Sequence, residues 1–493
     1  MNPTPAANQD TEIGYVVSSR DFLTYVDGFP TIRVNDMVES DNNLRGWVNA
    51  TFDDKIEILM LDEGVIKPKQ QFKKLSSRLG VPVGDFLLGR AVNPLGVPID
   101  GKGLLSHSKQ TEILELDREA PGIESREFIT KQFLTGITLI DSLVPLGKGQ
   151  RELILGDAHS GKTGFLMDVI INQRNTGVIC ILALIGKPAV TVRNLIDTLR
   201  ANKALDYTVV IATSSSEPAP LIFLTPKSAL TIAEYFQKQG KDVLLVLDDL
   251  GSHAKIYREI SLLGNKSPGR ESYPGDMFYQ HAHLLERAGC FLPKYGSGSI
   301  TALPVIELSL NDFTTLIPTN VMSMTDGHLL FKANMRAQGQ IPAIDLSLSV
   351  SRVGRQTQDR VSNLLSTRVR QVISDAADLE TIARFSSELP PETQLILKRK
   401  ELIQEILKQE ALMAVSKPIQ SILLALPFTS FLKDKNRLFI EQYKQTIIEA
   451  FLKNPQLLPI TRATANLKTD EELIKLLEGA GAVLAKLCPA PQI

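Results

Sequence analysis

One eight-residue motif constrains the fold of this chain more than any other feature. Gly156–Thr163 reads G-D-A-H-S-G-K-T and matches the phosphate-loop pattern G-x-x-x-x-G-K-S/T. The apolar run Leu153–Leu155 precedes it, and residues 165–170 carry apolar side chains at helical spacing. A strand, loop and helix in this order point backbone N–H groups at phosphate oxygens, beside the positive end of the helix.

The motif assigns distinct roles to its last two residues. Lys162 is expected to reach the terminal phosphates of a nucleotide, and Thr163 to bind magnesium. The predicted loop contacts are Gly156, Asp157, Ala158, His159, Ser160, Gly161, Lys162 and Thr163. ATP or ADP with Mg²⁺ is therefore the expected ligand.

Length and charge limit the remaining possibilities. A chain of 493 residues is too long for one core and should form two to four domains. Its net charge is −1, and the first 80 residues hold nine Lys and Arg against twelve Asp and Glu. A domain that binds nucleic acid usually carries the opposite sign, so no nucleic-acid partner is expected.

Cysteine use and hydropathy favour an intracellular protein. Cys180, Cys290 and Cys488 lack metal-type spacing and fit a reducing compartment. The longest apolar stretch, Val178–Ile185, is far shorter than a membrane span. The first residues show no basic segment followed by an apolar one, so no signal peptide is expected. Any membrane attachment should occur through partners.

Three zones follow one another along the sequence. Short alternating apolar segments separated by polar turns predict a β-barrel domain over residues 1–80, with Gly80–Gly84 as the hinge that leaves it. Residues 81–360 alternate strands and helices, which predicts a RecA-like α/β nucleotide-binding domain with parallel strands. The candidates for buried strands are Val178–Leu184, Tyr207–Ala212, Val243–Leu247, Ile300–Leu308 and His328–Phe331.

The third zone, residues 361–493, has helical periodicity and predicts an α-helical bundle. One apolar helix face is formed by Leu365, Val369, Val372, Ala376, Leu379, Ile382 and Ala383. A later helix is predicted to begin at Thr469, with Glu472 completing a capping box.

The strand Val243–Leu247 runs into Asp248, the position of a Walker B carboxylate that holds magnesium. Hydrolysis also requires a group that orients or deprotonates water. After the strand that ends near Ile185 the sequence continues with Lys187 and contains no acid. A charged lysine can bind phosphate but cannot act as a base, so the site is expected to bind nucleotide without splitting it.

Arg352 follows a β-type segment at the edge of the α/β zone. An arginine there can reach the γ-phosphate held by a neighbouring subunit, an effect worth about 10³–10⁵ in rate. An ordinary solvated or ion-paired arginine is the alternative interpretation.

From about residue 11 onward the sequence resembles the alpha subunit of F-type ATP synthase. The segments that carry the resemblance include Gly149–Leu153, Pro268–Asp276, Ile317–Val321 and Pro342–Gly354. The resemblance implies an alternating ring of three alpha and three beta subunits around a gamma central stalk, with a peripheral stalk attached. It further implies a peripheral location at the cytoplasmic face of the membrane and contact with the membrane only through the ion-translocating sector of this translocase.

The same resemblance implies that alpha sites hold Mg-ATP without turning it over and that Arg352 completes the catalytic site of the adjacent beta subunit. It places Pro342 and Gln409 at the adenine. The sequence departs from the family where Ala158 and His159 replace an arginine and a glutamine, and where Lys187 replaces a glutamine. Only ten residues precede the predicted barrel, so the family's N-terminal helix is expected to be missing.

Two other functions fit a phosphate loop. An autonomous hexameric motor, either a Rho-type RNA translocase or a secretion-export ATPase, needs a glutamate in its own site, and the RNA translocase also needs a basic N-terminal domain. The acidic balance of residues 1–80 argues against the RNA translocase, and the lysine at position 187 in place of a glutamate argues against both.

Overall fold

The computed structural model describes residues 12–105, 111–309, 312–383 and 390–489, with only the backbone described for 381–383. Its strands are β1 (Ile13–Arg20), β2 (Leu23–Asp27), β3 (Asp36–Ser40), β4 (Arg45–Thr51), β5 (Ile56–Met60), β6 (Gln71–Arg78), β7 (Gly80–Val83), β8 (Ala91–Val92), β9 (Glu112–Glu115), β10 (Gln132–Phe133), β11 (Leu146–Gly147), β12 (Glu152–Asp157), β13 (Ile179–Lys187), β14 (Thr208–Ser214), β15 (Val243–Asp248), β16 (Gly289–Cys290), β17 (Ser299–Leu308), β18 (Gly327–Phe331) and β19 (Val350–Ser351).

The α-helices become longer and more frequent toward the C-terminus. They are α1 (Thr138–Leu143), α2 (Lys162–Ile171), α3 (Ala189–Ala201), α4 (Ala219–Lys238), α5 (Leu250–Leu263), α6 (Met277–Glu286), α7 (Leu316–Met324), α8 (Ala333–Ala337), α9 (Arg360–Ala383), α10 (Pro391–Leu407), α11 (Lys417–Ala425), α12 (Arg437–Lys453), α13 (Leu458–Ala463) and α14 (Asp470–Leu487).

The protein folds into two compact units that are interleaved in sequence. The first unit comprises Met1–Glu127, Arg174–Leu308 and Asp312–Thr325, and the second comprises Phe128–Gln173, Ser309–Asn311 and Asp326–Ile493. The phosphate loop and the C-terminal helices therefore belong to the second unit, whereas Lys187 and Asp248 belong to the first. The domain bounds at residues 80 and 360 stay a prediction.

Strands β1 to β6 close the predicted barrel in the order β1-β2-β5-β4-β3-β6. Alternate side chains fill its interior, and Val26, Val38, Val48, Ile58 and Phe72 are completely buried. The segment that was expected to be a hinge, Gly80–Gly84, is instead mostly strand β7, which pairs antiparallel with β9. Pro82 has no backbone N–H, but each strand of a two-stranded sheet has an unpaired edge, where no N–H is needed for pairing.

The first unit also contains a parallel sheet, with neighbouring strands in the order β17-β15-β13-β14-β8. The strands are apolar on both faces, and β15 is buried at every position, as expected for a sheet covered by helices. All five predicted buried strands are found, and four of them lie in β13, β14, β15 and β17. The fifth is β18 of the second unit, which runs parallel to the phosphate-loop strand β12.

The C-terminal helices confirm the predicted helical zone. Leu365, Val369 and Ala376 of α9 are completely buried, whereas Val372 and Leu379 are half-buried. The side chains of Ile382 and Ala383 lie outside the described residues. Helix α14 begins as predicted, since the Thr469 side chain accepts a hydrogen bond from the backbone N–H of Glu472.

The capping box at the start of α14 differs in one detail from the predicted form. The Glu472 carboxylate accepts from the N–H of Lys468, at 2.9 Å, one residue before the cap.

The predicted fold class is confirmed: a barrel at the N-terminus, a central α/β region and C-terminal helices. Among the helices of the described residues, none has both the length and the apolar character to cross a bilayer. Residues 1–10, where the missing N-terminal helix was considered, lie outside the described range.

Candidate functional site

The phosphate-loop motif forms the predicted turn between β12 and α2. His159 has φ 60° and Gly161 has φ 104°, so the backbone alternates into the left-handed region just before the helix. Such alternation makes successive N–H groups converge on one point, which is the geometry of an anion-binding nest. Gly161 is the residue that precedes α2, and a Cβ added there would lie 2.6 Å from the Arg336 guanidinium.

The side chains of the loop divide into buried and exposed groups. Lys162 is only 7% exposed, and its ammonium donates to the carbonyl oxygens of Gly156 and Asp157, both at 2.6 Å. Ser160 is buried and donates to the Asp157 carbonyl at 2.7 Å. The loop residues on the outside are Ala158, His159 and Thr163. Thr163 lies in the first turn of α2, where a hydroxyl can bind a metal ion or phosphate.

A cleft of about 140 Å³ lies beside the loop within the second unit. It brings together four of the residues that the sequence singled out: Ser160, Gly161, Pro342 and Gln409. Phe165 and Phe331 also line it, with ring centroids 5.2 Å apart. An apolar cleft with a few polar groups, adjoining a phosphate-binding loop, has the character of a nucleobase pocket.

Gln409 connects two distant parts of the second unit. Its side-chain oxygen accepts from the Thr138 N–H at 2.9 Å and from the Thr138 hydroxyl at 3.0 Å, and its amide donates to the Gly136 carbonyl at 2.7 Å and to the Met413 carbonyl. The backbone N–H of Gln409 donates to the Ile341 carbonyl at 2.8 Å. Gln409 therefore holds the cleft wall together, and a direct contact of its amide with adenine stays a prediction.

Arg336 is a cation of the cleft that the sequence reasoning missed. It lies in the short helix α8, lines the cleft and approaches the loop at Gly161. Its guanidinium provides positive charge next to the phosphate loop. The sequence did contain a hint of this position, because Arg336 follows shortly after β18, which runs parallel to the phosphate-loop strand β12. Residues that follow parallel strands meet at one edge of the sheet.

In the first unit, Lys187, Asp248 and Asp249 form a group that we call the strand-end cluster. Lys187 ends β13 and Asp248 ends β15, and these parallel strands pair so that Leu184 lies opposite Asp248. The Lys187 ammonium lies 2.8 Å from Asp248 Oδ1 and 3.2 Å from Asp249 Oδ2. Burial acts to lower the pKa of Lys187, but the two carboxylates outweigh it and raise that pKa above its usual value.

The two aspartates of the cluster make different contacts. Asp249 caps helix α5, because its Oδ1 accepts from the Ser252 N–H at 2.6 Å and its Oδ2 accepts from the Ser252 hydroxyl at 3.1 Å. Asp248 is 5% exposed and contacts Lys187. Its carboxylate is chemically suited to Mg²⁺, as is the hydroxyl of Thr163. One oxygen of that carboxylate, however, already contacts the lysine ammonium.

Arg352 follows β19 on a backbone that is fixed on both sides. Its N–H donates to the Asp326 carbonyl at 2.9 Å, and the neighbouring Ser351 hydroxyl donates to the Pro145 carbonyl at 2.6 Å. Gly354 lies so close to Pro145 that an added Cβ would be 1.5 Å from its carbonyl oxygen, so only glycine fits. The Arg352 side chain is exposed. Arg352 is thus an exposed residue on a backbone that hydrogen bonds hold in place.

Glu152, at the start of β12, is a buried carboxyl near Arg352. It is completely buried, and its Oε2 accepts from the Gln150 amide at 2.8 Å, while its Oε1 has no hydrogen-bond partner among the described residues. Burial is the largest effect and raises the pKa of Glu152 well above its usual value. The hydrogen bond from Gln150 and the charge of Arg352 lower this pKa, and the charge of Asp326 raises it, but each effect is smaller than that of burial. The same Gln150 amide donates to the Ser351 hydroxyl at 3.0 Å, which links Glu152 to the backbone that carries Arg352.

A strand, a phosphate loop and a helix beside an apolar cleft define a P-loop protein. Family models agree with this class and specify it further. The nucleotide-binding domain of the ATP synthase alpha/beta family matches residues 136–351. The C-terminal domain of the same family's alpha and beta subunits matches residues 358–480.

Individual relatives cover nearly the whole chain. The ATP synthase subunit alpha of Mycoplasma pneumoniae is 38% identical over 467 residues, which is 94% of this chain and 89% of the relative. That of Lawsonia intracellularis is 39% identical over 469 residues, 94% and 92% of the two proteins. The chain therefore belongs to the ATP synthase alpha/beta family, among its alpha subunits.

Proposed function

We propose that this protein is the non-catalytic alpha subunit of an F-type ATP synthase head. It binds ATP or ADP at the loop Gly156–Thr163 and in the adjoining cleft, with Pro342 and Gln409 on the side of the base. Lys162 and the N-terminus of α2 hold the phosphates. Thr163 and Asp248 are the residues that would hold Mg²⁺, which neutralises phosphate charge when bound.

The observation that carries the non-catalytic assignment is the identity of residue 187. Hydrolysis needs a carboxylate or glutamine that positions water, and this protein has a lysine at the end of β13. That lysine is committed to ion pairs with Asp248 and Asp249 and cannot accept a proton while charged. The site can therefore hold a triphosphate but lacks its own base.

Arg352 is the residue through which the protein takes part in turnover. We assign it to the γ-phosphate in the catalytic site of an adjacent beta subunit, where it stabilises charge in the transition state. Its exposed side chain and fixed backbone support this assignment. Three alpha and three beta subunits around a gamma stalk, with a peripheral stalk, form the proposed assembly. It reaches the membrane through the ion-translocating sector, at the cytoplasmic face.

Co-expression with a beta subunit tests this function. The protein purified alone should show no appreciable ATP turnover, and the mixed ring should hydrolyse ATP at rates of ordinary enzymes, on the order of 1–100 per second. Appreciable turnover by the protein alone, with no increase on adding beta subunits, would support an autonomous motor instead.

A further inference from the structure

Arg336 is a cation of the cleft to which the fold itself supplies no counter-charge. Its side chain is exposed, and in the part of the chain that the structure describes it makes no ion pair with a carboxylate. The nearby cation Lys332, by contrast, pairs with Asp345 at 2.5 Å. The guanidinium of Arg336 is therefore available to a ligand that enters the cleft.

This guanidinium lies where the phosphate loop meets helix α2. It occupies the space that a side chain at position 161 would take, since a Cβ on Gly161 would be 2.6 Å from Arg336 Nη1. Gly161 immediately precedes α2, whose first turn presents unpaired N–H groups and the positive end of the helix dipole. A cation at that end of a helix is repelled by it, and an anion bound beside both relieves the repulsion.

The other charged side chains that line the cleft are negative and belong to its opposite end. Asp168 lies farther along α2, roughly 10 Å from Gly161 at a rise of about 1.5 Å per residue. Its Oδ1 accepts from the Leu412 N–H at 2.9 Å, and Glu410 lines the cleft on that same segment. The cleft thus has a positive end at the loop and a negative end where residues 409–413 approach α2.

A nucleotide has a matching polarity, because its phosphates carry negative charge and its base carries none. Carboxylates at one end of the cleft repel the phosphates, whereas the guanidinium at the other end attracts them. A planar guanidinium also donates two parallel hydrogen bonds to neighbouring phosphate oxygens, a geometry that an ammonium lacks.

We infer that Arg336 contacts the phosphate chain of the nucleotide bound in this cleft and gives the site its preference for phosphorylated ligands. The inference rests on the nucleotide site proposed above and adds to it a phosphate-binding residue from outside the loop motif. Arg336 then distinguishes nucleotides from nucleosides and contributes little to recognition of the base.

Displacement of a fluorescent ATP analogue from the purified protein by ATP, ADP and adenosine tests this inference. R336Q should weaken the binding of ATP and of ADP by about tenfold or more, the size of one charge-assisted contact, and should leave the Kd of adenosine within about twofold of the wild-type value. R336K keeps the charge without the planar fork and should fall between the two. The matched control is R462Q, since Arg462 is also an exposed arginine in the last turn of a short helix, α13, and does not line the cleft.

Melting curves establish that each variant is folded. An R336Q protein that binds ATP as tightly as the wild type, while K162A loses affinity, would overturn the inference and leave the nucleotide site intact. Equal weakening of ATP and adenosine binding would place Arg336 at the base and would also overturn it. Failure of the folded wild type to bind the analogue or any of the three ligands would overturn the nucleotide site itself.

Discussion

The phosphate loop and the strand-end cluster belong to different units of the protein and differ in how closely they follow the pattern expected of a nucleotide-hydrolysing site. The loop keeps Gly161, Lys162 and Thr163 and the backbone conformation that the motif requires. The cluster keeps Asp248 but carries Lys187 where hydrolysis needs a group that positions water. We therefore propose that the first region binds nucleotide and that the second region lacks a group able to activate water.

The difference reflects which atoms perform each task. In a phosphate loop the anion is held mainly by backbone N–H groups and one lysine, and the side chains of Ala158 and His159 are exposed in this loop. Water activation depends on a single side chain, and one substitution removes it. A binding site therefore tolerates sequence change that a catalytic site does not.

The largest expected effect separates binding from turnover. R352A should lower ATP turnover of the assembled ring by about 10³-fold or more, because an arginine at the γ-phosphate stabilises transition-state charge. Nucleotide binding to this subunit should be unchanged. R355A is the control, since Arg355 is exposed and donates to the Thr367 hydroxyl at 2.9 Å within its own unit. Wild-type turnover in the R352A ring would contradict the role assigned to Arg352.

A second variant tests the loop itself. K162A should weaken ATP binding to this subunit by about 30-fold or more, because it removes the buried ammonium that we propose to contact the phosphates. Turnover of the ring should fall by a smaller factor. Equilibrium binding and steady-state rates measure the two effects, with the exposed Lys475 changed to alanine as control. Equal losses of binding and turnover would show that this site is catalytic.

The cleft wall provides a test of stability. Q409A should lower the free energy of unfolding by about 1–3 kcal/mol, because it leaves the Thr138 N–H and the Gly136 carbonyl without their partner. Thermal melting measures the change. Q340A is the matched control, since Gln340 lines the same cleft and makes a long contact of 3.5 Å with the Ile344 carbonyl. Equal melting temperatures for the two variants would refute the crosslinking role of Gln409.

The smallest expected effect depends on pH. The folded-state pKa of Glu152 is raised, so the folded protein binds a proton that the unfolded protein releases, and this residue destabilises the fold increasingly as pH rises above its unfolded pKa. E152Q removes the titration. Its melting temperature, relative to the wild type, should therefore be higher at pH 8 than at pH 5. A difference that does not change with pH would mean that the Glu152 carboxyl does not titrate as its burial predicts.

The sequence predicted those features whose causes are local. The loop, the apolar strands β13 and β15 and the start of α14 each depend on residues within a few positions of one another. Strand β7 was mistaken for a hinge because its partner, β9, lies some thirty residues later and its glycines and Pro82 suggest a turn.

The site shows the same limit. Arg336 and the hydrogen bonds of Gln409 depend on segments far apart in sequence, and Gln409 bonds Thr138 across 271 positions. Parallel strands end at one edge of a sheet, so the sequence alone could place Lys187 and Asp248 at the same edge. It could not show that β13 and β15 are neighbours, which is what pairs the two side chains. The roles of Arg352, Thr163 and Asp248 stay predictions.

The fate of ATP bound to the isolated protein tests the central claim most directly. Purified protein is loaded with ATP labelled in the γ-phosphate, separated from free nucleotide and quenched in acid over several hours. The account predicts that the bound nucleotide remains ATP, with loss only by dissociation. Conversion of the bound ATP to ADP and phosphate at the rate of an ordinary enzyme would contradict it.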